Sequence, residues 1–126
     1  MKHTVAIIGV GTVGSTIAHA LLMEDIFQEL ILIDSDELRC SGQVKDLADM
    51  SAFLPGSPKI VQGSYEQVKS AHIVIIAAGK SQRVGESRRD LLEENKKVLN
   101  DIVHNLHGLR KDAIVIVGTN PVDILT

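Results

Sequence analysis

The chain has 126 residues, 44% of them hydrophobic, and its 13 Lys and Arg against 16 Asp and Glu leave a formal net charge of −3. That length and apolar content fit one globular domain with a real core and exclude a disordered tail, and the weak acidic balance excludes a nucleic-acid surface. Cys40 is the single cysteine, which excludes an internal disulfide and fits a reducing, cytoplasmic setting, and no apolar run approaches the ~20 residues of a membrane span.

Met1-Lys2-His3-Thr4 leads directly into a predicted strand over residues 4–9, not into a signal-peptide core. Behind the run Val5-Ala6-Ile7-Ile8 stands Gly9-Val10-Gly11-Thr12-Val13-Gly14, followed by Val13, Ile17 and Leu21 at helical spacing. The glycines therefore fall in a strand-to-helix turn. In such a turn Gly9 permits the tight bend, Gly11 lets a pyrophosphate approach the backbone, and Gly14 lets the helix lie close to the strand. The anion then faces the positive end of a helix starting near Thr12.

A second predicted strand, residues 29–34, ends in Asp34, twenty positions after Gly14. A carboxylate there accepts hydrogen bonds from an adenosine ribose and repels a 2′-phosphate, so the pattern predicts a bound dinucleotide, NAD in preference to NADP. A helix is expected over 37–53, and Pro55-Gly56-Ser57-Pro58 breaks the chain after it. Strands follow over 58–63, 72–78 and 113–118. The last two are apolar on both faces, as expected of central parallel strands covered by helices. Between them Leu91, Leu92, Val98, Leu99, Ile102, Val103 and Leu106 share one face of a helix expected over 87–108.

This alternation predicts an α/β fold, a Rossmann-type doubly wound parallel sheet with five strands, and residues 1–126 as one dinucleotide-binding domain. Two mononucleotide-binding halves would continue to a sixth strand. The ending Pro121-Val122-Asp123-Ile124-Leu125-Thr126 therefore reads as an interruption ahead of a substrate domain absent from this chain. His104 and His107 are one turn apart, but with no third ligand in sight no metal site is expected, and a solvated helix face is the simpler account.

The segment from Ala78 to Arg88, with Gly85-Glu86-Ser87-Arg88 at its end, and Asn120-Pro121-Val122-Asp123 after the fifth strand resemble the lactate/malate dehydrogenase family, on its L-lactate dehydrogenase branch. The resemblance spans the whole chain. It implies reversible hydride transfer between NADH and a small 2-oxo acid, in a two-domain subunit that forms a homo-oligomer, a tetramer or a dimer. It makes residues 79–88 a loop that closes over substrate, with Gly79 and Gly85 as hinge points.

By the same resemblance Arg88 polarises the 2-oxo carbonyl, Gln82 discriminates between substrates, and Asn120 contacts substrate and the nicotinamide end. Gly118 and Thr119 form the adjoining cofactor wall, and Val13, Arg39, Tyr65, Gly79 and Lys80 lie along the cofactor path. A neutral Gln82 leaves no partner for a second carboxylate, which favours pyruvate over oxaloacetate. If the loop shifted by one residue, Arg83 would stand there instead and a malate-type specificity would follow; the loop also departs from relatives that carry a basic residue and a proline at Gln82-Arg83-Val84. The resemblance places the catalytic histidine, its aspartate and a carboxylate-binding arginine beyond Thr126. None of His3, His19, His72, His104 and His107 stands in a proton-donor motif. A non-catalytic NAD(H)-binding module is the remaining alternative, and a substrate arginine on a closing loop separates it from an enzyme.

Overall fold

In the computed structural model, which describes residues 3–120 and 125, β-strands alternate with helices. The order is β1 (Thr4–Ile8), α1 (Thr12–Met23), β2 (Glu29–Ile33), α2 (Glu37–Ser51), β3 (Lys59–Gln62), α3 (Tyr65–Val68), β4 (Ile73–Ile76), α4 (Arg88–Asn105) and β5 (Ile114–Val117). Every strand pairing is parallel and the sheet order is β3-β2-β1-β4-β5. The doubly wound expectation holds. The chain winds outward from β1 through β2 to β3, then returns to place β4 on the other flank of β1. That reversal opens a crevice beyond the carboxyl ends of β1 and β4, where α/β sheets of this kind bind ligands.

Side-chain alternation along the strands divides the core in two. Val5, Ile7, Leu30, Leu32 and Ile75 pack with Ala18 and Leu22 of α1 and Cys40 and Leu47 of α2. Ala6, Ile8, Ile31, Ile33, Val74 and Ile76 pack on the opposite face with Val68 of α3 and Leu99 and Ile102 of α4. Near-continuous apolar runs on β1, β2 and β4 are thus required, because helices cover both of their faces.

The structure refines the expected pattern at three places. Among the described residues β5 pairs with β4 alone and stands at the sheet edge, with Ile114, Val115 and Ile116 59%, 45% and 48% exposed, while Val117 packs against the cluster that holds Leu99 and Ile102 of α4. The fully buried positions of α1 are Gly14, Ala18 and Leu22, and Ile17 and Leu21 beside them are partly buried against the same core, while Val13 is exposed. Only glycine fits at position 14, since a Cβ there would run into the carbonyl oxygen of Gly9. On α4 the buried face is Leu91, Asn95, Leu99 and Ile102, while Val103 is exposed. The short helix α3 was not expected; Gln67 Oε1 accepts from the Ser64 N–H at 2.9 Å and stabilises its start.

Candidate functional site

The crevice begins at the turn after β1. Gly9 has φ +97°, and a Cβ on it would collide with the backbone of Ala78 at the end of β4, so only glycine admits this close passage of two strands. Gly11 caps α1 without a side-chain hydrogen bond, and a Cβ added to it would meet nothing within 4 Å. Open space there, in front of the unpaired N–H groups of the first helical turn, is what a pyrophosphate requires.

Asp34, immediately after β2, points back to this turn. Its Oδ2 accepts from the Val10 N–H at 2.8 Å and its Oδ1 from the Asp36 N–H at 2.8 Å. Arg39 Nη2 reaches both oxygens, at 3.1 and 3.0 Å. The carboxylate side chain is only 4% exposed, covered by an arginine that is itself half exposed. Burial alone would raise the carboxyl pKa, but the Val10 and Asp36 N–H donors and the Arg39 guanidinium together hold it below the ordinary value. The same burial, with the Asp34 charge beside it, pushes the Cys40 thiol up, which leaves that thiol protonated and unreactive.

At the other flank, a cleft of about 430 Å³ opens between the ends of β4 and β5 and the start of α4. Its floor is Ala77, Ala78, Gly118 and Thr119, and Val13 of α1 closes one side. Gly79, Lys80 and Gln82 form the loop wall, Asn120 stands on the β5 wall, and Arg88 and Leu91 enter from the first turn of α4. Ser87 fixes where that helix starts, accepting from Asp90 N–H at 3.1 Å while its own N–H donates to Asp90 Oδ2 at 3.2 Å. Gln82 Nε2 donates to the Glu86 carbonyl at 2.8 Å, and Glu86 Oε2 accepts from the Arg83 N–H at 2.9 Å, so the loop is folded on itself. Gly79 and Gly85 have φ +140° and +81°.

A family model described as the lactate/malate dehydrogenase NAD-binding domain matches residues 3–126. The chain belongs to the lactate/malate dehydrogenase family. It is 43% identical over 125 residues to the L-lactate dehydrogenase of Shouchella clausii strain KSM-K16, covering 99% of this chain and 38% of that protein. It is 38% identical over 124 residues to L-lactate dehydrogenase 1 of Bacillus cereus strain ATCC 10987, covering 98% of this chain and 40% of that one. Among solved structures it superposes with a TM-score of 0.92 on the minor L-lactate dehydrogenase of Enterococcus mundtii in a ligand-bound form, at 35% identity, over 98% of this chain and 40% of that one. The chain thus spans about 40% of the length of the curated relatives it matches. As the NAD-binding domain of this family, it takes NAD as its cofactor.

Within that family domain, the residues singled out from sequence divide into two groups. Gly9, Gly11, Gly14, Asp34 and Arg39 cluster at the β1–β2 flank. Val13, Gly79, Lys80, Gln82, Arg88, Gly118, Thr119 and Asn120 line the cleft, whereas Arg83 does not. β1 stands between Asp34, which follows β2, and the β4–β5 cleft, and the glycine turn after β1 adjoins both, with Gly9 against the backbone of Ala78. Tyr65 joins neither group: it packs against the α3–α4 core, and burial, then the Asp101 charge, raises its phenol pKa. The motif residues Pro121, Val122 and Asp123 lie outside the described residues. The described histidines do not line the cleft. His107 Nδ1 lies 2.8 Å from the His104 carbonyl, so that pair closes the end of α4.

Sequence reasoning missed Asn95 and Leu91 as cleft residues. The available signal was a lone asparagine four residues after Leu91 and four before Leu99, inside an apolar stripe.

Proposed function

We propose that this chain is the NAD-binding part of an L-lactate dehydrogenase that interconverts pyruvate, or a similar small 2-oxo acid, and its 2-hydroxy acid. The observation that carries the reading is the shared cleft: Gln82 and Arg88 line it together with Asn120, and Arg83 does not. In the reduction, NADH supplies a hydride to the carbonyl carbon. Arg88 stabilises the negative charge that grows on the carbonyl oxygen, a task suited to a permanently charged guanidinium. Asn120 orients substrate against the nicotinamide end, whose wall is Gly118 and Thr119, and Lys80, Val13, Arg39 and Tyr65 lie along the cofactor path. Residues 79–88 close over the bound acid and exclude water, with Gly79 and Gly85 as hinges, which strengthens each charge interaction inside.

A proton must also reach the alkoxide oxygen. The family resemblance implies a proton donor and a second arginine for the substrate carboxylate, and both are proposed to lie in the further length that the relatives possess; among the described residues lining the cleft the ionisable ones are Lys80 and Arg88. The complete enzyme is proposed to be a cytoplasmic homo-oligomer. Among the described residues no helix is long and apolar enough to cross a membrane.

Gln82 makes the pocket accept a neutral side chain, because burying a second carboxylate without a cation is costly. In the complete enzyme, Gln82→Arg should raise kcat/KM for oxaloacetate and lower it for pyruvate, shifting their ratio by at least about tenfold if the pair is closed from water. Arg88→Gln should instead depress turnover of both acids, since both develop the same oxyanion. Steady-state kinetics on the two acids check this. An unchanged ratio for Gln82→Arg, with movement on substituting Arg83, would shift the loop register by one and favour the malate-type reading.

A further inference from the structure

α4 carries one polar side chain on its buried face. Asn95 is 1% exposed and continues the stripe of Leu91, Leu99 and Ile102. A carboxamide in such a stripe is costly to desolvate unless its donors and acceptor are all met. They are met by main chain from two separate loops. Oδ1 accepts from the Lys80 N–H at 2.8 Å, and Nδ2 donates to the Lys80 carbonyl at 3.2 Å and to the Asn120 carbonyl at 2.7 Å.

The two loops leave adjacent parallel strands. As far as Gly118 the ladder itself joins them, with the Gly118 N–H donating to the Ile76 carbonyl at 2.7 Å, and one residue later Thr119 Oγ1 donates to the Ala78 carbonyl. Beyond that point the backbones diverge around the cleft. Asn95 then takes the place of a peptide unit between them, offering both a donor and an acceptor. Gly79 makes room for it: a Cβ there would come within 3.0 Å of Asn95 Oδ1 and 2.8 Å of Thr119 Cγ2. The same helix turn holds the Lys80 side chain as well, with Glu94 Oε2 3.7 Å from its Nζ.

A leucine would fill the stripe with the same branched heavy-atom skeleton, somewhat larger, and spare the desolvation. What it would forfeit is the fixed separation of the two cleft walls. We infer that Asn95 is a positioning residue, a side-chain rung that sets Lys80, at the foot of the 79–88 loop, against Asn120, so that the nicotinamide end of the cofactor meets a preformed cleft. This rests on the NAD and 2-oxo acid reading above. It concerns one end of the dinucleotide only, since Asp34 follows β2, on the other side of β1 from the cleft.

That asymmetry supplies the test. In the full-length protein, Asn95→Leu and Asn95→Asp are compared with the parent for binding of NADH and of ADP-ribose, which lacks the nicotinamide, by calorimetry. The aspartate keeps volume and the acceptor for the Lys80 N–H but faces the two carbonyls with no donor. Both variants are expected to weaken NADH at least tenfold while ADP-ribose stays within twofold, and to lower kcat for pyruvate. Equal losses for the two ligands, unchanged NADH affinity, or failure of both variants to fold would make Asn95 a packing residue and overturn the inference. Failure of the unsubstituted protein to bind either ligand would remove the NAD reading and the inference with it.

Discussion

Asp34 enters the site already satisfied, by two backbone N–H groups and by Arg39. On the proposed reading, a ribose would meet this carboxylate with the guanidinium already on both of its oxygens. Arg39 lowers the net negative charge that a 2′-phosphate would meet, and it carries the cation that such a phosphate would seek. NADH should bind more tightly than NADPH, with Asp34→Ser narrowing the gap by about tenfold or more, the worth of hydrogen bonds to a charged group. Arg39→Ala should widen it. Titration with both cofactors checks these outcomes, and equal affinities in the unsubstituted protein would remove the role given to Asp34. The same contacts make Asp34 a stability determinant with a definite sign. Its folded pKa is depressed below the unfolded value near ~3.9, so its contribution is present above that value and is lost as pH falls through the folded one. Acid unfolding of Asp34→Asn should accordingly show a shallower decline below about pH 4 than the parent. Parallel acid limbs would mean that the three contacts do not favour the charged form.

At the scale of elements, α4 links the fold to the chemistry. Its capping box at Ser87 and Asp90 sets the first turn, which presents Arg88 to the cleft, and its buried face delivers Asn95 one to two turns later. Removing the cap should therefore affect the site as well as stability. Ser87→Ala is expected to cost about 1 kcal/mol of stability and, in the complete enzyme, to lower kcat by loosening Arg88. Chemical denaturation and steady-state kinetics read the two effects separately. A stability loss with kcat intact would show that Arg88 is positioned by the closed loop and not by its helix.

Over the whole molecule, the sheet places Asp34 and the β4–β5 cleft on opposite sides of β1, and among the described residues β5 lies at an edge with Ile114, Val115 and Ile116 exposed. Residues 1–126 on their own are expected to bind NADH yet show no measurable pyruvate reduction, because the proton donor is proposed to lie in the further length of the relatives, a deficit typically of about 10² to 10⁴ in rate. Robust turnover by this stretch alone would overturn the division of labour proposed here. Much of this was legible in the residue string. Apolar runs of strand length, the glycine turn and Asp34 twenty positions on are local patterns with one economical reading, and they were enough for the doubly wound sheet and its cofactor. Gly85-Glu86-Ser87-Arg88 likewise marked the loop and the helix start that the structure shows. Periodicity says that a face is apolar, however, and not what covers it. The exposure of β5 depends on which neighbours the sheet order supplies, and the burial of Gly14 on α1 on how closely the helix lies to the Gly9 carbonyl. The pairing of Arg39 with Asp34 depends on a turn conformation that spacing alone does not define. Asn95 shows the same limit most clearly. In sequence it interrupts a hydrophobic stripe, and only the convergence of two loops from β4 and β5, with Lys80 and Asn120 40 positions apart in the chain, gives its carboxamide three partners. Hydrogen-bond satisfaction of a buried polar group is a property of distant segments brought together, so the tertiary structure alone decides it.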